Sequence, residues 1–291
     1  MSSPCARCGR PLAASLPRCV YCGAEAPPGA AEAPAEAPPE PSPRLLVLLR
    51  ISDAEPEAVA RALGLAPADA AHRVRRGGWQ LLRIAEPSAA QEQAARLGDA
   101  GLVVVLVPEA EVRGAARPVV ALGGEWTGRA LALRTAEGPL GMESAHLVLE
   151  VQGPITREYQ TSQDVKRART ATLESGFRFH LHRRDDARPL ELDPGAFDFG
   201  GNGPGTSSLL QLTAWVQELT RGAAVDDGFR RLPPELGVAA AAAGGPLAAA
   251  DALGARAALR AEAPLVLDNL RQFRFYSAWR AAVERRASRR G

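Results

Sequence analysis

The cysteines of this chain constrain its folding more than any other feature. All four lie near the N-terminus in two Cys-x-x-Cys pairs, Cys5 with Cys8 and Cys19 with Cys22. Two-residue spacing lets both thiolates of a pair reach one ion, and four thiolates complete the tetrahedron that Zn²⁺ prefers, with Zn–S distances of about 2.3 Å. A segment of about twenty residues cannot bury a self-supporting core. We therefore expect these four cysteines to bind one structural zinc ion, which supplies most of the segment's folding free energy.

Two other roles for the cysteines are less consistent with the sequence. Disulfides are rare in the reducing cytosol, and residues 1–8 lack the charged start and apolar core of a secretory signal. Catalytic zinc keeps one coordination position open, and four cysteine ligands would close it. The apolar runs 45–49 and 102–107 are far shorter than the ~20 residues that span a bilayer. We expect a cytoplasmic protein without a transmembrane segment.

Each cysteine pair is followed by glycine, in Cys5-Ala-Arg-Cys-Gly9 and Cys19-Val-Tyr-Cys-Gly23. With these motifs, residues 1–23 resemble the short zinc-ribbon domain found at the N-termini of many bacterial proteins. The resemblance implies a structural or interaction module rather than an activity. Residues 24–43 are almost entirely Ala, Pro, Glu and Gly, a composition that predicts an extended, solvated linker.

Residues 44–108 have the pattern of a small β-α-α-β-α-β domain. Strands are predicted at 45–51, 79–84 and 102–107, and helices at 55–63, 67–75 and 88–97. The apolar spacing and glycine placement over 64–74 and 89–107 are similar to the C-terminal domain of the bacterial ribosomal stalk protein. That family docks translation factors through exposed lysines, and residues 44–108 contain no lysine.

Residues 109–222 change to an alternation of period two, which predicts short antiparallel strands followed by one helix. We expect a β-barrel-like domain closed by that helix, an order that resembles the pleckstrin-homology-like superfold. The whole chain is therefore predicted to be multi-domain α+β, with a helical tail at 223–291. Turns are predicted at Glu137-Gly138, Gly153-Pro154, Ser175-Gly176 and Asp193-Pro194-Gly195.

A glycine-rich stretch between the last strand and the helix has part of a phosphate-binding motif. Gly200, Gly205 and Ser207 have the required spacing, but Thr206 occupies the lysine position and Pro204 removes one backbone amide. We therefore expect no nucleotide binding. The alternative is that Thr206 or Ser207 caps a helix with one apolar face, which Gly222 ends. That face comprises Leu209, Leu212, Val216 and Leu219.

No residue pattern predicts an enzyme. His180 and His182 alternate on one strand face with Arg178, which could suit an acidic ligand or a metal, but we interpret this face as solvated. The pairs Asp185-Asp186 and Asp226-Asp227 lie in charged or turn-like segments, where adjacent carboxylates do not form an acid/base dyad. A nucleophile elbow is also missing from the sequence.

The tail combines an Ala-rich segment, residues 239–263, with a stretch that is dense in aromatic residues and arginine. Its apolar residues recur every three or four positions, which predicts a helix that either packs back onto the preceding domain or docks another protein. They are Leu270, Phe273, Tyr276, Trp279 and Val283. The final Arg285-Arg286 and Arg289-Arg290 could instead meet phosphates or an anionic membrane.

These observations favour a non-enzymatic interaction or adaptor protein with protein partners. The alternative is a nucleic-acid-binding protein that uses the ribbon and the basic tail. Its ribbon contacts would come from Arg7, Arg10, Arg18 and Tyr21. Residues 1–43 carry three arginines against four glutamates, whereas a nucleic-acid binder should be clearly basic.

Overall fold

The computed structural model describes residues 43–161, 169–185, 187–200, 207–230 and 265–288, together with Cys5, Arg7, Cys8, Cys22 and Ala24. The chain divides into two compact units, Met1–Ser42 and Pro43–Gly291. Apart from Ala24 and Pro43, the predicted linker 24–43 lies outside the described residues, as does the Ala-rich segment 239–263. The finer domain limits 44–108, 109–222 and 223–291 stay predictions.

The first part of the larger unit is a three-stranded antiparallel sheet, and its predicted β-α-α-β-α-β order is confirmed. Its elements are β1 (Leu45–Arg50), α1 (Pro56–Leu63), α2 (Pro67–Arg76), β2 (Trp79–Ala85), α3 (Pro87–Asp99) and β3 (Val103–Pro108). The strands lie in the order β2-β1-β3. All three helices begin at a proline, whose missing N–H costs nothing in a first helical turn. Gly64 ends α1 in the left-handed conformation that glycine adopts without strain.

Strand β1 is buried on both faces. Val47 and Leu49 pack in a core with apolar residues of α1, α2 and α3. On the other face, Leu46 and Leu48 belong to a second core with residues of the C-terminal helix. The nearly continuous apolar run of β1 is therefore explained by cover on both sides.

The rest of the larger unit is built around a second, larger sheet. Its strands are β4 (Val119–Trp126), β5 (Ala130–Thr135), β6 (Gly138–Glu143), β7 (Leu147–Thr161), β8 (Arg169–Arg183), β9 (Leu190–Leu192), β10 (Ala224–Asp226) and β11 (Leu265–Asp268). The order is β10-β7-β8-β9-β4-β5-β6, and β11 also pairs with β7. The helices are α4 (Glu109–Arg113), α5 (Ser207–Leu219) and α6 (Leu270–Ser288). The mixed α+β class is thus confirmed.

The predicted antiparallel pairing of the β-barrel-like domain is wrong for two strand pairs. Strands β10 and β7 are parallel, as are β4 and β9. Side chains alternate with a period of two in either direction of pairing, so the sequence pattern could not distinguish the two. Among the described residues, the end strands β6 and β10 are not paired with each other, so the sheet is open there.

The predicted turns at Gly153-Pro154 and Ser175-Gly176 are also wrong. Both dipeptides lie inside a long hairpin of β7 and β8, where Pro154 is opposite Phe177 and Ile155 is opposite Gly176. On the other edge of β7, β10 pairs with residues 149–151 and β11 with 157–159, so neither strand reaches Pro154. Proline is tolerated at such an unpaired edge. The turns predicted at Glu137-Gly138 and at Asp193-Pro194-Gly195 are confirmed.

Helix α5 and the C-terminal helix α6 pack on opposite faces of the hairpin that β7 and β8 form. Leu212, Val216 and Leu219 of α5 are buried as predicted, in one core with Phe179 and Leu181 of β8. The fourth predicted residue, Leu209, is instead partly exposed. Thr206 lies outside the described part, so its predicted cap is untested. Ser207 is the first residue of α5, and the helix ends at Leu219, before the predicted Gly222.

Helix α6 is buried on most of its circumference. Eleven of its 19 residues are buried. The apolar ones, among them Phe273 and Trp279, share a core with apolar residues of β1, β3 and β7. The predicted helix is confirmed, but the docking hypothesis is wrong because the aromatic face is already covered within the chain. Among the described helices, none combines the length and apolar character needed to cross a bilayer.

Candidate functional site

Three of the four cysteines lie together in the N-terminal unit. The sulfur atoms of Cys5, Cys8 and Cys22 all lie within 4.8 Å of one another, and Cys5 Sγ is 3.7 Å from Cys22 Sγ. None of these three cysteines forms a disulfide. Two ligands of a tetrahedral zinc–thiolate site lie about 3.8 Å apart, which matches the observed separation. The three sulfurs could hold a metal ion, and Cys19 lies outside the described residues.

The backbone near Cys5 favours its ionised form. Backbone N–H groups of Arg7 and Cys8 donate to the sulfur and lower the pKa of Cys5 to about 6. The thiolate is the form that binds metals. Arg7 itself is exposed, whereas Arg10, Arg18 and Tyr21 lie outside the described residues.

A second polar site lies in the larger unit, between β8 and α6. His180 and His182 are only 2% and 7% exposed, so the prediction of a solvated strand face is wrong. The cover comes from Ser277 of α6, which is 97 residues further along the chain than His180. Ser277 Oγ lies 2.8 Å from His180 Nδ1 and 2.7 Å from His182 Nε2.

The hydrogen bonds of His180 continue to a buried carboxylate. Glu191 Oε2 lies 3.0 Å from His180 Nε2, and Arg274 donates to both carboxylate oxygens of Glu191 at 2.9 and 3.0 Å. Burial raises the pKa of Glu191, but the hydrogen bonds from His180 and Arg274 outweigh it and lower this pKa to about 2. Glu191 is therefore ionised at neutral pH and accepts hydrogen bonds only.

Both imidazoles are neutral at pH 7. Burial lowers the pKa of His180, against the opposing effect of Glu191, and lowers the pKa of His182 well below its ordinary value. Since His180 Nε2–H donates to Glu191, its Nδ1 is an acceptor and must receive the Ser277 hydroxyl proton. His182 Nε2–H then donates to Ser277 Oγ. The protons of this chain of four side chains, the His182–Ser277–His180–Glu191 chain, are thus fixed by one ionised carboxylate.

A serine, a histidine and a carboxylate in this order also form hydrolytic triads, in which the histidine takes the serine proton. Here Ser277 borders a cavity but has 0% of its surface exposed, inside helix α6. A substrate carbonyl therefore has no access to Ser277 Oγ in this conformation. In this structure, the hydrogen bonds of the His182–Ser277–His180–Glu191 chain hold α6 on the sheet.

Two further groups of charged side chains are buried nearby, around Arg178 and around Asp226. Arg178 is buried and lies 2.5 Å from Asp193 Oδ2 and 3.8 Å from Glu191 Oε1. Asp226 accepts a hydrogen bond of 2.6 Å from Tyr276 Oη of α6 and forms an ion pair with Arg280 of the same helix. Burial and the nearby Asp226 raise the pKa of Tyr276. Asp226 of the predicted turn-like pair is therefore a buried anchor for α6.

A cavity of about 840 Å³ opens beside the buried histidines. It is lined by His180 and His182 of β8 and by residues of three segments, 111–118, 187–189 and 271–285. Six of the lining residues are arginines and one, Glu111, is acidic. Sequence reasoning missed this site because its arginines are spread over the chain; the only signal was the arginine content of the tail.

The glycine-rich stretch is only partly within the described residues. Gly200 has a φ of 77°, and residues 201–206 lie outside the described part. The expectation that it does not bind nucleotides stays a prediction.

No protein-family model, curated protein or solved structure matches this chain. The resemblances to the zinc ribbon, the stalk-protein domain and the pleckstrin-homology-like superfold therefore stay predictions. Among the described residues, the features that bear on function are the cysteine cluster, the buried His182–Ser277–His180–Glu191 chain and the arginine-lined cavity.

Proposed function

We propose that this chain is a non-enzymatic, cytoplasmic interaction protein whose N-terminal cysteines bind one structural zinc ion. The observation that carries the proposal is the approach of three cysteine sulfurs to within 4.8 Å of one another. Cys19 belongs to the same Cys-x-x-Cys motif as Cys22 and is the natural fourth ligand. A zinc ion bound there would order the segment by joining its two cysteine pairs.

Two features support a binding role rather than catalysis. A shell of four thiolates leaves no coordination position for water or substrate. In the larger unit, the hydroxyl of Ser277, the best-placed nucleophile that we find among the described residues, has no exposed surface. Zinc ribbons of the kind that the sequence resembles are structural or interaction modules, which favours a protein partner.

Metal content tests the zinc site directly. The full chain, purified under reducing conditions, should contain close to one zinc per molecule, and Cys22→Ser should lose it. Ser15→Ala, in the same segment, is the matched control and should retain zinc. Reduced protein without metal, or a Cys22→Ser variant that keeps full zinc content, would contradict the proposal.

Partner capture tests the interaction role. The unsubstituted chain, Cys22→Ser and Ser15→Ala are each used to recover partners from a cell lysate, with and without nuclease. A nuclease-resistant protein that Cys22→Ser alone fails to recover would support the proposal. If all recovered material is nuclease-sensitive and is released as salt rises, the nucleic-acid alternative is correct instead, because phosphate contacts release counterions.

A further inference from the structure

The cavity beside the buried histidines has the size of a ligand site. Its volume of about 840 Å³ falls within the range of roughly 300–1,000 Å³ that is usual for small-molecule pockets. One wall consists of residues of α4 and after it, a second of residues 187–189 with His180 and His182 of β8, and a third of α6. Buried hydrogen bonds join two of the lining elements, because Ser277 of α6 contacts His180 and His182 of β8.

Four of the six arginines in the cavity have acidic partners. Nitrogen–oxygen distances are 2.6 Å for Arg113 with Glu109, 2.6 Å for Arg188 with Glu137, 2.9 Å for Arg274 with Glu191, and 3.5 Å for Arg285 with Glu111. Their positive charges are therefore largely compensated. These pairs hold the guanidinium groups in place without leaving much charge for a ligand.

The other two arginines are different. The side chains of Arg117 and Arg271 are exposed and, within the part of the chain that the structure describes, make no hydrogen bond or ion pair. The neutral imidazoles of His180 and His182 add no charge. An excess of two positive charges thus faces one cavity, beside apolar groups that include Val112, Phe275 and Ala278.

We propose that this cavity binds a small organic phosphate, with the phosphate held by Arg117 and Arg271 and the organic part against the apolar wall. A phosphate monoester carries a charge of about −1.5 to −2 at pH 7, which matches the two uncompensated arginines. The guanidinium fork donates two parallel hydrogen bonds to phosphate oxygens. The apolar wall distinguishes an organic phosphate from the inorganic ion. This site is independent of the cysteine cluster.

Calorimetric titration of the full chain with phenyl phosphate tests the proposal. We expect saturable binding at millimolar concentration or below, and Arg117→Gln and Arg271→Gln should each weaken the affinity about tenfold, the effect of losing one charge-assisted contact. Arg96→Gln on α3, an exposed arginine away from the cavity, should leave affinity unchanged. Because both cavity arginines are exposed, the variants should fold, which thermal unfolding checks.

Two further probes separate the phosphate from the organic part. Inorganic phosphate should bind more weakly than phenyl phosphate, and phenol should not bind measurably. Phthalate tests whether a dicarboxylate is the true ligand class. The proposal is overturned if phenyl phosphate does not bind, if the Arg117→Gln/Arg271→Gln double variant binds it equally well, or if inorganic phosphate or phthalate binds more tightly. Cys22→Ser should bind phenyl phosphate normally, so failure of the zinc proposal would not affect this result.

Discussion

The two sheets of the larger unit differ in how far apart along the chain their contacts lie. All strands of the three-stranded sheet come from residues 45–108, and helices α1 to α3 of the same segment cover one of its faces. The larger sheet combines strands from residues 119–268, and helix α6, at 270–288, covers it. Local pattern therefore describes the first sheet well, whereas burial in the second depends on a segment at the far end of the chain.

Strand β8 shows the consequence most clearly. Phe179 and Leu181 point into the core beneath α5, and His180 and His182 alternate with them on the opposite face. Both faces are buried. Burying polar side chains costs free energy unless each is hydrogen-bonded, and Ser277 and Glu191 supply those bonds.

The largest expected effect tests whether the two sheets unfold as one. Trp279 is fully buried, in a core that contains Leu46 and Leu48 of the small sheet and Leu149 of the large one. Trp279→Ala should lower the free energy of unfolding by about 3–5 kcal/mol, measured by denaturant unfolding followed by circular dichroism. Hydrogen exchange should show weaker protection in both sheets.

The control for this variant is Leu210→Ala, since Leu210 is 74% exposed and its loss should cost less than about 0.5 kcal/mol. Two separate transitions, with only residues 109–288 affected by Trp279→Ala, would show that the sheets are independent. In that case residues 44–108 would unfold as a separate domain, as the predicted boundary at 108 implies.

The sequence was sufficient for the small sheet because periodicity, prolines at helix starts and Gly64 are local signals. It also predicted α5, and it predicted that α6 is a helix. It could not show what covers the polar face of β8, because an alternation of polar and apolar residues has the same period whether the polar face meets water or a hydrogen-bonding helix. The cavity was missed for the same reason, since Arg117 and Arg271 line one cavity only in the folded chain.

The next effect concerns the polar layer that joins α6 to the large sheet. The pKa of Glu191 is about 2 in the folded state and 4.5 ordinarily. A depressed carboxyl pKa stabilises the fold above pH 4.5, and this contribution is lost as the pH falls from 4.5 through 2. The shift corresponds to about 3 kcal/mol. Glu191→Gln should thus be less stable than the unsubstituted protein by about this amount at pH 7, with a difference that shrinks towards pH 2.

The two histidines also make the folded protein less stable as the pH falls. Their folded pKa values lie below the ordinary 6.5, so the unfolded chain binds protons first and stability begins to fall below pH 6.5. Glu191 faces His180, and positive charge nearby comes from Arg178 and Arg274.

Glu125→Gln, at an exposed position of β4, is the control for Glu191→Gln and should leave the pH profile unchanged. A Glu191→Gln difference that is constant from pH 7 to pH 3 would contradict the ionised, hydrogen-bonded state of Glu191.

The smallest expected effect on stability comes from replacing Gly153 by alanine, which tests whether this glycine is packed inside a strand or free as in a turn. Gly153 was predicted to lie in a turn, but it lies inside β7 with Phe229 packed over it. A Cβ at this position would lie 2.8 Å from a ring carbon of Phe229, closer than packed atoms allow. Gly153→Ala should therefore destabilise the fold by about 1–3 kcal/mol through overpacking.

Gly141 of β6 is the matched control, because a Cβ there would meet nothing within 4 Å and its φ is not positive. Gly141→Ala should be neutral or stabilising by up to about 1 kcal/mol, since it restricts the unfolded chain. Thermal unfolding of the two variants measures the contrast. Equal effects would mean that Gly153 is as free of contacts as a turn residue, and that the contact of β7 with Phe229, which joins the hairpin to the core beneath α6, does not form in solution.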